Sequence, residues 1–151
     1  MERDRLRQQI GRAFGRLLTH LPILARSWGR QFDALTSDDV PFTRLRKPLH
    51  SCRIALITTG GVHLRTQQPF DMGDSRGDPS FRAIPADTPV EQLTITHDYY
   101  DHRDAERDLN ILFPLALGRD LVEQRAIGGL GTSYGFMGHI ELPHVETLVR
   151  R

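Results

Sequence analysis

Cysteine is almost absent from this chain: among 151 residues Cys52 stands alone. One thiol excludes an intrachain disulfide, a CxxC redox pair and a thiolate-rich metal site built within one chain. It suits a reducing cytoplasm. Lysine is nearly as scarce, Lys47 being the only one, and the formal net charge of +1 is too small to argue for nucleic acid or an acidic membrane as partner. No apolar run approaches the roughly 20 residues needed to cross a bilayer. The N-terminus also lacks the uninterrupted apolar segment of a secretory signal. The hydrophobic share of 38% is enough for one modest core, so one compact unit is expected.

What is present falls into two parts. Residues 1–29 carry Leu6, Ile10, Phe14, Leu17, Leu18 and Leu21 at helical spacing opposite an arginine-rich face. They predict an amphipathic helix that packs on the domain or on a neighbouring subunit. An extended connector with Pro41 and Pro48 follows, so residues 1–52 form helix and connector ahead of an α/β domain over residues 53–151. Arg53-Ile54-Ala55-Leu56-Ile57 reads as a strand covered on both faces in a parallel sheet. Residues 60–89, punctuated by Gly73, Gly77, Pro79, Pro85 and Pro89, read as a long functional loop. A second strand is expected over residues 90–96 and a short helix over 103–109, capped by Asp101. A helix over 117–125, with Leu117, Leu121 and Val122 on one face, leads to a third strand at 127–130. The expected class is a small three-layer α/β open sheet with mainly parallel strands and exposed edges. Those edges predict self-association or docking on another protein.

Each expected strand runs into an unusual cluster. Thr58-Thr59-Gly60-Gly61-Val62-His63 offers hydroxyls and bendable backbone to an anion, or simply makes a tight turn. His97-Asp98-Tyr99-Tyr100-Asp101-His102 gathers imidazoles, carboxylates and phenols. It could support acid–base chemistry or hold a divalent metal on His97, Asp101 and His102, or it could be a capped helix with a polar network. Arg82 could hold a carboxylate in a fork, and Tyr134-Gly135-Phe136-Met137-Gly138 could form a wall or lid. Ligands of open α/β sheets bind beyond the carboxyl ends of the strands. The clusters therefore predict one site for a small amine or amino-acid carboxylate. Thr58, Thr59, Gly60, Gly61, Arg82 and Tyr134 would bind it, and His63, His97, Asp98, Asp101 and His102 would polarise it or transfer protons. The alternative is a non-catalytic accessory subunit whose polar clusters are structural.

In order and density, three stretches resemble the selenoprotein B family of the glycine, sarcosine and betaine reductases, and the similar selenocysteine subunit of D-proline reductase. They are Ala55-Leu56-Ile57-Thr58-Thr59-Gly60-Gly61-Val62-His63, Gly77-Asp78-Pro79-Ser80-Phe81-Arg82-Ala83-Ile84-Pro85, and the run from His97 to Asn110. Ser133-Tyr134-Gly135-Phe136-Met137-Gly138 resembles that family's Ser-Phe-Met-Gly stretch. The resemblance implies a substrate-specific component working beside a partner subunit. The partner's pyruvoyl group would hold an amine while a selenol attacks the adjacent carbon. The selenocysteine or cysteine half of the family follows the Phe-Met-Gly region. This chain is therefore expected to be a short member without that half, relying on a redox partner or a homo-oligomer, with Cys52 matching no family nucleophile.

Overall fold

The computed structural model describes residues 42–74 and 76–141, together with Leu17, Leu21, Ile23, Arg26, Ser27 and His144. Apart from those isolated positions, the amphipathic helix expected over residues 1–29 lies outside the described residues. No helix among the described residues is long and apolar enough to cross a membrane. Among the described residues seven short strands carry the fold: β1 (Arg53–Ile54), β2 (Ile57–Thr58), β3 (Val62–Leu64), β4 (Phe81–Ile84), β5 (Leu93–Ile95), β6 (Gly129–Leu130) and β7 (Ser133–Phe136). Two helices, α1 (Arg103–Arg107) and α2 (Leu115–Glu123), lie between β5 and β6.

The apolar run at 53–58 is one extended segment paired in parallel with the chain from Gly129 to Gly135. Its first half aligns Arg53 with Gly129 and Ile54 with Leu130. Its second half aligns Ile57 with Tyr134 and Thr58 with Gly135, so the partner has gained one residue between the two halves. That extra residue is a β-bulge, which would leave a ladder donor without a mate. Here the Ser133 hydroxyl, fully buried, accepts the Leu56 N–H at 2.9 Å. Gly131 N–H to Ile54 O at 2.8 Å and Tyr134 N–H to Leu56 O at 2.8 Å complete the seam.

The α/β class holds, with pairings of both senses. β7 also pairs antiparallel with β4, giving the order β2-β7-β4, and β3 pairs antiparallel with β5. Both antiparallel partners come from residues 60–89, expected as a loop. β3 is only three residues long, and β4 sits between Pro79 and Pro85. Neither is long enough to display an alternation that outweighs its turn-forming neighbours. The strand at 53–57 is not covered on both faces among the described residues: Arg53, Ala55 and Ile57 are exposed, and Ile54 and Leu56 turn inward. The expected second strand begins later, because Val90–Gln92 forms a 3-10 turn before β5.

Val62, Ile84, Leu93, Phe113 and Leu115 form the core, with Leu56, Leu64, Ile95, Leu109, Leu112 and Leu130 packed against it. Burying a side chain of this size stabilises the fold by about 1.5–3 kcal/mol. α2 starts directly after Pro114, two residues before the expected start, and turns Leu115 and Gly118 inward. Leu117 and Leu121 are exposed instead. The apolar face expected of Leu117 and Leu121 is therefore not the one that packs on the core. Gly118 allows α2 to lie close to Leu130, whose Cδ atoms would come within 3.1–3.2 Å of a Cβ there.

The bulge repair is testable. Ser133→Ala leaves the half-buried Leu56 N–H without its acceptor and is expected to cost about 1 kcal/mol, read as a lower midpoint with unchanged slope in urea denaturation. An unchanged midpoint would show that the hydroxyl is dispensable.

Candidate functional site

Three chain segments meet around one open cleft of about 400 Å³, lined by Thr59, Gly60, His97, Tyr100, Leu112, Gly138 and His139. Thr59 and Gly60 leave the end of β2, His97 and Tyr100 follow β5, and Gly138 and His139 follow β7. The parallel pairing of β2 with β7 puts two of these exits side by side, and Gly60 bridges Met137 directly. The third exit is tied in by β3. Gly61 N–H donates to Phe136 O at 2.8 Å, and Gly61 O accepts Thr96 N–H at 2.9 Å. Gly61 has φ of +75°, and a Cβ there would lie 2.3 Å from Thr96 O. Only glycine allows this crossing.

The turn is therefore not an empty anion cradle. Gly60 N–H donates to the Thr58 hydroxyl at 3.1 Å and Gly61 N–H is spent on Phe136. The Gly60 carbonyl accepts the Tyr100 hydroxyl at 2.9 Å. That bond latches the polar segment after β5 onto the turn after β2.

A row of rings runs along the cleft, three of them in its lining. His139 lies 4.9 Å from Tyr99, Tyr99 lies 5.8 Å from His97, His97 lies 4.7 Å from Tyr100, and Tyr100 lies 5.4 Å from His102. The Tyr99–His139 pair is tilted at 49°, and the other three are edge-to-face, which suits rings whose faces are electron-rich and whose edges are not. His97 is buried. Its Nδ1 accepts the Tyr99 N–H at 3.2 Å, so the neutral ring carries its proton on Nε2. Burial, reinforced by His102 and His139 and opposed by Asp98, lowers its pKa to about 4. Burial and the nearby Glu106 carboxylate raise the Tyr100 pKa to about 12. Both groups are neutral at physiological pH, and no Asp, Glu, Lys or Arg is among the lining residues.

The other residues singled out in the sequence lie elsewhere. His63 is enclosed in the core, with Nδ1 2.8 Å from Leu64 O, Nε2 2.8 Å from the Thr96 hydroxyl, and Phe70 edge-on at 5.8 Å. Burial lowers its pKa, against the Leu64 carbonyl contact. Thr58 is buried beneath the turn. Asp98 is not among the lining residues, and Asp101 is held in a fork by Arg103, Nε to Oδ1 at 2.9 Å. His102 Nδ1 faces Glu106 at 2.9 Å. Among the described residues no three His, Cys, Asp or Glu side chains are grouped to hold a metal ion. His97, Asp101 and His102 thus each have separate partners rather than a common centre. Arg82 is saturated by protein groups, and Tyr134 packs edge-on against Phe81 at 5.6 Å.

Of the expected site residues, Thr59, Gly60 and His97 line the cleft. Tyr100, Leu112 and His139 are unassigned contributors, and Gly138 belongs to the expected wall. Tyr100 stood within the polar cluster, but its phenol gave no sign of which carbonyl it would reach. His139 immediately follows the glycine that closes the expected wall.

The depressed pKa of His97 makes a sign-definite prediction. The unfolded ring binds a proton near pH 6.5 and the folded ring only near pH 4, so stability is full above 6.5 and falls as pH drops between those values. The loss approaches about 3 kcal/mol, and His63 shifts in the same direction. Urea denaturation between pH 7.5 and 4 is expected to show that slope in the native protein and a shallower one in His97→Leu.

No family model matches the chain and no solved structure matches it. A curated protein does: the D-proline reductase subunit gamma of Acetoanaerobium sticklandii is 36% identical over 98 residues. That match takes in 64% of this chain but 39% of the relative, so the chain spans well under half of the protein it resembles. The resemblance read from the sequence motifs is borne out: this chain is similar to a D-proline reductase subunit.

Proposed function

We propose that the cleft binds a small amine or amino acid, and that the chain serves as the ligand-binding part of a reductase-type assembly in which a partner polypeptide brings the redox group. The carrying observation is the convergence of Thr59-Gly60, His97-Tyr100 and Gly138-His139 on one cleft, in a chain similar to a protein named for the reduction of D-proline. A volume near 400 Å³ falls at the lower end for small-molecule sites. The Thr59 hydroxyl and the Nε2–H of a neutral His97 are donors suited to a carboxylate. The Tyr100 and His139 rings and Leu112 offer apolar surface to a compact carbon skeleton.

Binding and orientation are what these groups supply. His97 holds no proton to give at pH 7 beyond its Nε2–H, and Tyr100 is committed to Gly60, so the cleft is a poor acid–base centre. His63 and Asp101, expected to converge with His97 for proton transfer, have their own partners. Nor does the chain's thiol reach the site. Cys52 precedes β1 while Thr59 follows β2, which separates them by roughly 20 Å at the rise of an extended strand. Electrons for a reduction would come from outside this chain.

Titration with D-proline, L-proline, glycine, sarcosine and betaine, followed by calorimetry and by the His97 and His139 ring resonances, tests this reading. At least one ligand is expected to saturate, and Thr59→Val or His97→Phe to weaken it about tenfold, equivalent to about 1.4 kcal/mol. Absence of binding at millimolar concentration for all five would replace it with the accessory-subunit reading.

A further inference from the structure

His139 lies at the exposed rim of the cleft, yet its backbone is enclosed from two sides. On one side it is the preceding residue that is confined: a Cβ on Gly138 would lie 2.9 Å from Thr59 O. On the other, Gly77 presses against it so closely that a Cβ there would fall 1.7 Å from His139 O and 2.7 Å from its carbonyl carbon. Gly77 also has φ of +85°, a conformation unfavourable to any L side chain. Flanking contacts repeat the attachment. Glu141 N–H donates to Arg76 O at 2.8 Å, and Asp78 N–H donates to the sulfur of fully buried Met137 at 3.5 Å.

Behind Gly77 stands a half-enclosed ion pair. The Asp78 carboxylate accepts the N–H groups of Asp71 at 2.9 Å and Ser80 at 2.8 Å and the Ser80 hydroxyl, and faces Arg82 at 3.6 Å. Burial pushes its pKa up, but the Ser80 and Asp71 donors and Arg82 outweigh it and leave the carboxyl below its ordinary range. Arg82 donates to Gln68 O at 2.7 Å, Pro69 O at 3.2 Å and the Ser80 hydroxyl at 2.6 Å, and its guanidinium lies 4.4 Å over the Phe70 ring. All three guanidinium nitrogens are engaged. Arg82 therefore has no fork left for a ligand, and what its network holds in place is the segment that meets His139.

We propose that Arg82, Asp78 and Gly77 are positioning residues for the cleft: they brace the backbone of His139 so that its ring stands against Tyr99 at the cleft wall. The brace rests on the reading of that cleft as a small-molecule site, and it gives the arginine of the Gly-Asp-Pro-Ser-Phe-Arg stretch a role without ligand contact.

The test reads the ring C–H resonances of His139 in ligand-free protein, assigned through His139→Gln, and then D-proline affinity. Gly77→Ala is expected to move the His139 resonances away from their ring-current position beside Tyr99 and to weaken D-proline at least tenfold. Arg82→Lys, which keeps the charge but loses the fork, is expected to move them in the same direction by less, and it decides the matter if Gly77→Ala does not fold. Gly118→Ala, on α2, is the control, since it crowds Leu130 of β6 and does not meet His139. His139 resonances that stay in place in both Gly77→Ala and Arg82→Lys, or that move equally in Gly118→Ala, overturn the brace. Moved resonances with no D-proline binding in the native protein leave the brace standing and remove the ligand reading.

Discussion

The parallel seam between the 53–58 run and the 129–135 run is the constraint on which the rest of the molecule depends. It sets β2 beside β7 in a register that places the Thr59-Gly60 turn next to Met137 and Gly138. It also gives β7 a free edge for β4, so the long Gly- and Pro-rich segment is folded back onto the sheet. Its weak point is the bulge, where a parallel ladder loses a bond that only a side chain can replace. The buried Ser133 hydroxyl supplies it.

A second consequence is electrical. The polar segment after β5 is packed between the turn after β2 and the exit of β7, which removes water from His97 and Tyr100. Burial disfavours the charged form of both, so imidazole and phenol remain neutral side by side. Formal charges sit outside the cleft, in local pairs such as Asp101 with Arg103 and Asp104 with Arg107. Exposed pairs of this kind contribute little to stability. Their effect here is to leave the cleft lined by hydroxyl, imidazole, phenol and leucine. Such a lining offers hydrogen-bonding groups and apolar surface but no formal charge.

Much of the fold was legible where a segment was long enough to show a period. The apolar run before Thr58, the helix expected over 103–109, which ends at Arg107, and the helix that became α2 were all recognisable. β3 and β4 were not, because three or four residues between glycines and prolines carry no periodicity of their own, and their pairing energy comes from partners distant in sequence. The site divides in the same way. Thr59, Gly60 and His97 could be picked out because each lies just beyond an apolar run. Arg82 was misplaced because an arginine beside a turn looks alike whether its fork meets a ligand or the carbonyls of Gln68 and Pro69.

The sequence by itself determined the composition of the site and its kinship: one thiol, clustered imidazoles and phenols, and motifs resembling a reductase subunit. It also placed those clusters at the ends of apolar runs, since strand ends are where glycine and polar residues interrupt local β preference. Only the tertiary structure decided which members meet. Whether a histidine is enclosed like His63, paired like His102, or part of the cleft lining like His97 depends on burial and on hydrogen-bond partners tens of residues away. Local sequence carries no information about the direction in which those partners approach.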